Sequence, residues 1–455
     1  MAVSACSSGG RGSSGNTPNA PKTSTSSGSG TSAATTFGTL ASPCGKGSAT
    51  GATDQGVTNT SIAIGYGDDR GAAQAPGLNQ EIGDAVKAMI KWCNDQGGIN
   101  GRQVVGDFYD AAITNIGPAI QSACAKDFML VGSGWAADEA AEQTRVGCNL
   151  VSTPTYTVGP DYANGPMVYD ALPNPVDYQP ASGLFQMAQL FPDTKSAFGV
   201  MSTNLPAIQA TVAKVKISAA AAGFTVVDCG VTMNYTGEPN YTPFAEKFKQ
   251  CGAKIIYLPT PGAEVNGLLT AMNQLGVHPK YIMQANGYVG SFAQWNTAGY
   301  GNDVYVQSAF EPIENASEVP AVQAYVNAVN ATGGKLATLG MQATSSFLMW
   351  ATAAKACGST LTRQCMVNKL SAVHDWTAGG LNAATDPGAN MPTQCGLLLK
   401  LDGTKWVQAY PSTAGKFDCN ASYVVKLPQS VWGTTLNSDR IATRFLTDKV
   451  ITPQK

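Results

Sequence analysis

The sequence predicts an α/β protein of two lobes, each a doubly wound parallel sheet, and three observations lead to this prediction. From residue 61 onward, short apolar runs alternate with amphipathic stretches, which is typical of parallel sheets covered by helices on both faces. The chain of 455 residues is longer than one ordinary core requires. The proline-rich stretch Leu172-Pro-Asn-Pro175 interrupts the alternation, which then resumes. We therefore expect two domains with a cleft between them.

The first set of units begins with a strand at 61–65 and a helix at 78–95. In that helix Ile82, Val86 and Met89 recur at three- and four-residue steps, and Gly97-Gly98 ends it. The same reasoning predicts strands at 103–109, 128–131 and 149–151, and helices at 116–126 and 138–146.

The second set repeats this pattern after the proline-rich stretch. It predicts helices at 179–190, 206–222, 241–250 and 263–274, and strands at 196–201, 225–229, 254–258, 281–284 and 304–308. Helical patterns follow at 319–330 and 341–356. Asp402-Gly403-Thr404 lies between the apolar runs 397–401 and 406–409, so we expect a hairpin that extends a sheet already built.

The charge pattern argues against polyanionic partners. The formal net charge is -2, only 13% of the residues are charged, and the basic ones are scattered. No apolar run reaches the roughly 18 residues that a membrane-spanning helix needs. We therefore expect no nucleic-acid partner. We also expect a monomer.

The cysteines indicate an oxidising compartment. Ten of the eleven form couples that follow one another in sequence, and we interpret them as disulfides: Cys44 with Cys93, Cys124 with Cys148, Cys229 with Cys251, Cys357 with Cys365 and Cys395 with Cys419. Buried free thiols are the alternative. A metal site is not expected, since there is no Cys-x-x-Cys and the two histidines, His278 and His374, lack a ligand-like spacing.

The eleventh cysteine lies near the N-terminus. Val3-Ser4-Ala5-Cys6 resembles a bacterial lipobox, whose cysteine receives a lipid, and the Ser/Gly/Thr-rich tract after it has the composition of a flexible tether. Only Met1 and Ala2 precede the motif, where a signal peptide would stand, so we expect that residues are missing there. We predict a disordered linker over 1–56, with contact to the membrane only through lipidated Cys6. The alternative is a plain tail with an accidental cysteine.

No constellation of residues indicates catalysis. Gly65-Tyr-Gly67 follows a strand, but the next helix begins too late for its N-terminus to hold a dinucleotide. Gly132-Ser-Gly134 lacks the frame of a nucleophile elbow, and neither histidine has an evident nucleophilic partner. The adjacent acids Asp68 and Asp69 could form a catalytic carboxylate pair, but the simpler interpretation is that they are solvated or paired with Arg70. We therefore expect neither an enzyme nor a cofactor.

Ligands of open parallel sheets gather beyond the carboxyl ends of the strands. That rule selects the loops 66–77, 132–138, 153–161, 202–206, 259–264 and 285–291. Three of these loops carry a large aromatic residue, namely Trp135, Tyr156 and Tyr288, which suits the wall of a small-molecule cleft. The alternative is that these rings only fill the surface between the lobes.

One segment is specific enough to indicate a family. Residues 79–101 read NQEIGDAVKAMIKWCNDQGGING, and with Phe108-Tyr-Asp110 they resemble the first helix and second strand of type I periplasmic binding proteins. The Asn-x-x-Gly-Gly-Ile-x-Gly turn is similar to that of the leucine/isoleucine/valine-binding branch. The resemblance covers about residues 57–430 and is strongest in the first lobe.

The resemblance implies two lobes joined by three crossovers, capture of a ligand by hinge closure, and delivery to an ABC permease. Lobe 1 would comprise 57–173 and 309–377, lobe 2 would comprise 174–308 and 378–430, and 431–455 would be a C-terminal extension. The couple of Cys124 with Cys148 is similar to a disulfide of that branch.

The resemblance also implies a set of ligand-binding residues. One wall would carry Tyr66, Asp68, Trp135, Ala136, Tyr156 and Thr157, and the other Asn204, Thr260, Asn286 and Tyr288. Thr157 matches the family, whereas Ala136 falls where a serine is expected. Asn286 falls where the family has the acid that pairs with an α-ammonium group. Since an unpaired buried charge is heavily penalised, a neutral amide, a polyol or a small acid is expected rather than an ordinary amino acid.

The leading hypothesis is therefore an extracytoplasmic, lipid-anchored solute receptor of an ABC importer. The alternative is a ligand sensor with the same fold that acts on a regulatory partner. Neighbouring permease and ATPase genes would favour the first hypothesis, and a neighbouring kinase gene would favour the second.

Overall fold

The computed structural model describes residues 36–454, so Cys6 and most of the predicted tether lie outside the described residues. From residue 36 the prediction of a disordered linker is wrong. Phe37 is fully buried and packs edge-on against Trp92 at 5.6 Å, and Cys44 forms a disulfide with Cys93. The segment up to residue 56 is therefore held to the folded core by burial and by a covalent bond.

The first sheet is parallel and has four strands in the order β4-β3-β5-β6. Its register pairs Ile62 with Val104 and Ile64 with Met129. The elements of this part of the chain are β1 Thr36–Phe37, β2 Leu40–Ala41, β3 Ser61–Asp68, α1 Gln80–Asp95, β4 Gln103–Asp110, α2 Ile116–Lys126, β5 Met129–Val131, α3 Glu142–Gly147, β6 Ser152–Thr153 and α4 Pro160–Ala163. The predicted strand 149–151 is displaced to β6, and the first turn of the predicted helix 138–146 is a 3-10 turn.

The second sheet is mixed rather than wholly parallel. Its order is β15-β14-β13-β12-β11-β8, and the hairpin predicted around Asp402-Gly403 supplies its antiparallel edge. The elements are β7 Tyr178–Pro180, α5 Ser182–Leu190, β8 Phe198–Val200, β9 Ser202–Thr203, α6 Pro206–Ala221, β10 Thr232–Met233, α7 Thr242–Cys251, β11 Ile255–Tyr257, α8 Ala263–Gln274, β12 Lys280–Met283, α9 Gly290–Trp295, β13 Val304–Ser308, β14 Cys395–Asp402, β15 Lys405–Tyr410, β16 Asp418–Cys419 and β17 Val424–Lys426. The predicted strand 225–229 makes only a single bridge, between Val226 and Phe198, before the chain turns at Gly230.

Three helices between the two halves of the second sheet return to the core of the first. They are α10 Pro320–Asn330, α11 Thr338–Cys357 and α12 Arg363–Leu370. Like every other helix within residues 36–454, they are too short or too polar to span a lipid bilayer. Phe347 and Leu348 of α11 pack in one cluster with Ile62, Ile64 and Val86.

The chain passes between the two sheets three times, after β6, after β13 and after α12. This is the predicted architecture of two lobes and three crossovers. The lobe boundaries at single residues stay a prediction.

The structure confirms all five predicted cysteine couples as disulfides. They join Cys44 with Cys93, Cys124 with Cys148, Cys229 with Cys251, Cys357 with Cys365 and Cys395 with Cys419. Cys148 directly follows α3 and so ties this helix to α2, while Cys365 ties α12 to the end of α11. Cys148 and Cys365 are half-buried. None of the ten cysteines is a buried free thiol, which was the alternative interpretation. The disulfides therefore fasten neighbouring elements within each lobe.

The C-terminal extension fastens two of the crossovers together. Arg440 donates from Nε and Nη2 to the two carboxylate oxygens of Asp177, at 2.7 and 2.8 Å, and from Nη1 to the carbonyl of Ala389, at 2.7 Å. Asp177 lies in the first crossover and Ala389 in the third. One guanidinium group therefore bridges two of the segments about which the lobes are joined.

Replacing Arg440 by alanine should lower the free energy of unfolding by about 2–3 kcal/mol, because it leaves the buried carboxylate of Asp177 without its partner. Urea unfolding followed by tryptophan fluorescence measures this loss. Arg444→Ala is the matched control: Arg444 makes a single contact with Asp161 from a side chain that is 66% exposed, and Asp161 keeps the hydrogen bond from the Thr434 hydroxyl, so the loss should be less than about 1 kcal/mol. Equal losses for the two variants would contradict the bridging role of Arg440.

Candidate ligand-binding site

A cavity of about 680 Å³ lies at the carboxyl ends of the strands, where loops from both sheets meet. Of the six loops predicted from the sequence, those at 153–161, 259–264 and 285–291 contribute to its wall. Of the ten predicted ligand-binding residues, five line it: Tyr156, Thr157, Thr260, Asn286 and Tyr288. The cavity is large enough for an amino acid or a somewhat larger solute.

Tyr156 is held in place by two local features. Its ring packs against the preceding loop at Gly134, where a Cβ atom would stand only 2.8 Å from Cε1 of the tyrosine. Asn79, in the left-handed conformation before α1, donates a hydrogen bond from Nδ2 to the Tyr156 hydroxyl at 2.7 Å. Burial, with Asp138 as the next cause, raises the pKa of Tyr156 well above its usual value. The phenol is therefore neutral and retains its own proton as a donor.

The start of α11 forms another part of the same wall. Ala337, Thr338, Leu339 and Gln342 line the cavity, and no side chain caps this helix at its N-terminus. The Tyr325 hydroxyl holds the first turn by donating to the carbonyl of Ala337 at 3.0 Å and accepting from its N–H at 3.2 Å. The positive end of a 20-residue helix thus faces the cavity.

Two hydroxyls on this wall have no partner within the described part of the chain. Thr157 Oγ1 and Thr338 Oγ1 are both buried and form no hydrogen bond. A buried hydroxyl without a partner is costly in a folded protein, which makes both groups natural partners for a bound solute or water.

The opposite wall comes from the second sheet. Asn286 is exposed, and its Nδ2 donates to the carbonyl of Pro259 at 3.3 Å, which leaves its Oδ1 free to accept. The Tyr288 hydroxyl is already occupied, because it donates to Glu314 and accepts from the N–H of Ile313 at 2.9 Å. Tyr288 therefore presents its ring rather than its hydroxyl to a ligand.

Two predicted residues of β3 lie outside the cavity, which corrects their assignment. Tyr66 is buried against Phe108 at 5.4 Å between ring centres. Asp68 is fully buried and its carboxylate pairs with Arg70 at 2.7 Å and accepts from the N–H of Gly83 at 3.1 Å. The carboxylate of Asp68 thus already has a basic partner, and it links the end of β3 to α1.

Three further predicted residues also lie outside the cavity. Trp135 is buried beside α2 and donates from Nε1 to the carbonyl of Tyr109 at 3.4 Å, and the exposed Ala136 donates its N–H to Asp69 at 2.7 Å. Asn204 is exposed and accepts from the N–H of Tyr235 at 3.1 Å, so it organises the loop after β9. Each of these loops is held by contacts of its own and does not reach the cavity.

Several wall residues were not predicted, and Glu81 and Asp170 are the charged ones. Asp170 lies two residues before the proline-rich crossover, so an acidic residue next to an inter-lobe segment was the signal that could have indicated it. Thr338 was missed because the apolar pattern placed the start of the helix at Met341, one turn too late. The sequence placed a carboxylate on the wall only at Asp68, whereas the acidic side chains that line the cavity are Glu81 and Asp170.

Two lobes of α/β structure with a cavity at their junction that carries apolar and polar side chains define a solute-binding protein. The chain belongs to the periplasmic binding protein family, whose sequence pattern it matches over residues 61–405. The proteins of this family are extracytoplasmic and bind substrates rather than convert them. No curated protein matches the chain in sequence.

Solved structures share this fold at low sequence identity. A fatty acid ABC transporter substrate-binding protein from Thermomonospora curvata has a TM-score of 0.62 at 14% identity, covering 80% of this chain and 98% of its own. An ABC transporter substrate-binding protein from Desulfitobacterium hafniense, in complex with Leu, has 0.58 at 16%, covering 77% and 100%. A leucine-binding protein from Thermotoga maritima has 0.61 at 12%, covering 76% and 97%. The predicted resemblance to type I periplasmic binding proteins of the leucine-binding branch is confirmed at the level of the fold.

Proposed function

We propose that this chain is an extracytoplasmic receptor that captures a small polar molecule between its lobes and delivers it to an ABC importer. The observation that carries the proposal is the cavity of about 680 Å³, which takes wall residues from both sheets and from all three crossovers. A ligand there contacts both lobes only when they are close together, so its binding energy favours closure. In this proposal Cys6 carries a lipid that keeps the receptor at the outer face of the membrane.

The polar groups on the wall describe how the ligand is held. Thr157, Thr338 and Tyr156 offer hydroxyls from one lobe, and Asn286 and Thr260 offer an amide and a hydroxyl from the other. Hydrogen bonds to such groups fix the orientation of the ligand and give specificity, while the apolar part of the wall buries the apolar surface of the ligand. The solutes that suit this wall are amino-acid-like molecules, amides, polyols and small acids.

A thermal-shift screen of the ligand-stripped full chain tests this proposal. A solute at about a hundred times its dissociation constant should add roughly 2.7 kcal/mol to the stability, and the melting temperature should rise by several degrees. Thr157→Val, which removes an unpartnered wall hydroxyl at nearly constant volume, should weaken the binding of that solute by about tenfold. Ser122→Ala on the exposed face of α2 is the control and should leave binding unchanged. If no solute of these classes raised the melting temperature, the proposal would fail.

A further inference from the structure

The charged side chains on the cavity wall are both acidic. Among residues 36–454, Glu81 and Asp170 line the cavity, and no lysine, arginine or histidine does. A ligand with a net negative charge would find no basic side chain there and only the partial positive charge at the N-terminus of α11, against two carboxyl groups, and a buried charge without a full partner is strongly disfavoured. The wall therefore favours a neutral or a positively charged ligand.

The two carboxylates differ in how far they are already neutralised. Glu81 lies 3.3 Å from Nζ of Lys335, so its charge has a partner inside the protein. Asp170 has none, because no described basic side chain forms an ion pair with it. Its Oδ1 accepts the N–H of Leu172 at 2.9 Å, while Oδ2 forms no hydrogen bond. Asp170 is thus the acidic side chain on the wall that has no basic partner within the described part of the chain.

Asp170 is also almost removed from solvent. Its exposure is 3%, and burial, together with the nearby Asp138, raises the pKa of its carboxyl well above the ordinary range. A cationic group next to Oδ2 would reverse this, since an opposite charge stabilises the carboxylate. Apolar side chains stand on the same wall, among them Leu172, Val289 and Leu339.

We propose that the cavity binds a small organic cation, whose single ammonium or guanidinium group pairs with Asp170 and whose apolar body lies against Leu172, Val289 and Leu339. This inference rests on the proposed function as a solute receptor and specifies the class of its ligand. The resemblance places Asn286 where the family has an acid on the second lobe. In this chain the acid that pairs with the ligand would be Asp170, which lies in the first crossover.

Matched probes of one carbon skeleton test the charge preference. Benzylamine, benzyl alcohol and benzoate, and likewise butylamine, butanol and butyrate, are added at millimolar concentration to the full chain, and its melting temperature is measured. The amines should stabilise the protein, whereas the carboxylates should not. Stabilisation by a carboxylate or alcohol without stabilisation by the matching amine would overturn the inference while leaving the receptor function intact.

Asp170→Asn separates an ionised counter-charge from a neutral hydrogen-bonding group. The asparagine can keep the hydrogen bond to Leu172 but carries no charge, so the amines should bind about 30-fold more weakly or worse. Unchanged amine affinity in Asp170→Asn would overturn the inference. Asp161→Asn is the matched control, since Asp161 is equally buried at 4% but lies outside the cavity and pairs with Arg444, and it should leave amine binding unchanged.

The ligand-free variants give a readout that needs no probe. Asp170→Asn replaces a buried carboxyl group that has no basic partner by a neutral amide, so without ligand the variant should melt no lower than the original protein, whereas Asp161→Asn breaks an ion pair and should melt lower. A fall for Asp170→Asn as large as that for Asp161→Asn would make Asp170 a structural residue and overturn the inference, whether or not a probe binds. If Asp170→Asn melted no lower than the original protein and neutral or acidic solutes but no amine stabilised the original protein, the inference would fail and the receptor function would stand, whereas stabilisation by no solute at all would contradict both.

Discussion

Replacing Arg145 by methionine should lower the free energy of unfolding by about 3–5 kcal/mol, the largest loss that we expect from any single change. Arg145 and Glu142 are both buried, with side chains 2% and 1% exposed, and two hydrogen bonds of 2.7 and 2.6 Å join them. Methionine fills similar volume but leaves the carboxylate of Glu142 buried without a counter-charge. Urea unfolding of the variant measures the loss.

The same guanidinium group also holds the backbone on both sides of β6. It donates to the carbonyl of Leu150 at 2.7 Å and to that of Pro166 at 2.6 Å, which ties α3 to the segments on both sides of β6. The double variant Arg145→Met/Glu142→Leu is the control, because removal of both charges should restore part of the stability. A loss below about 1 kcal/mol in the single variant would show that the charge of Glu142 is not left uncompensated. A double variant less stable than the single variant would show the same.

Removal of the disulfide between Cys44 and Cys93 should cost about 4 kcal/mol. The bond closes a loop with a sequence separation of 49, and the entropy that a crosslink removes from the unfolded chain grows with the length of the loop. Cys44→Ala/Cys93→Ala also frees the segment 36–56 from α1. Calorimetry or denaturant unfolding of the double variant measures the effect.

The disulfide between Cys357 and Cys365 is the matched control for loop length. Its cysteines are separated by only 8 positions, so Cys357→Ala with Cys365→Ala should cost about 2.5 kcal/mol by the same relation. If the short loop cost as much as the long one, chain entropy would not be the reason for the difference, and the loss of packing around the fully buried Cys93 would explain more of it.

The core of the fold could be predicted because its signals are local. The apolar period of α2 and the Pro118 in its first turn predict the helix over the residues that the structure gives. Asp402-Gly403 between two apolar runs predicts the hairpin of β14 and β15. Where the local signal was weak, the predictions failed: the strand predicted at 149–151 is displaced to β6, and the one predicted at 225–229 makes a single bridge and no regular strand.

The candidate site was predicted only in part, because loops with similar sequence features have different surroundings. The aromatic loops with Trp135 and Tyr156 look alike in sequence, yet Trp135 is buried beside α2 and Tyr156 lines the cavity. Asp68 was expected to be a binding residue, but it is the last residue of β3 and its carboxylate pairs with Arg70, only two positions away.

The sequence by itself determined the fold class, the hairpin, the couples of cysteines that the structure joins and the family, because periodicity, turn residues and cysteine spacing are properties of short segments. Only the tertiary structure decided which side chains meet in the cavity. Glu81, Asp170 and Thr338 are separated by 89 or more positions along the chain, and the passages between the sheets after β6 and after β13 bring them to one wall. No local sequence pattern predicts that these side chains lie on one wall, because this depends on packing between distant segments. Which polar atoms lack a partner is likewise decided only once the fold has formed.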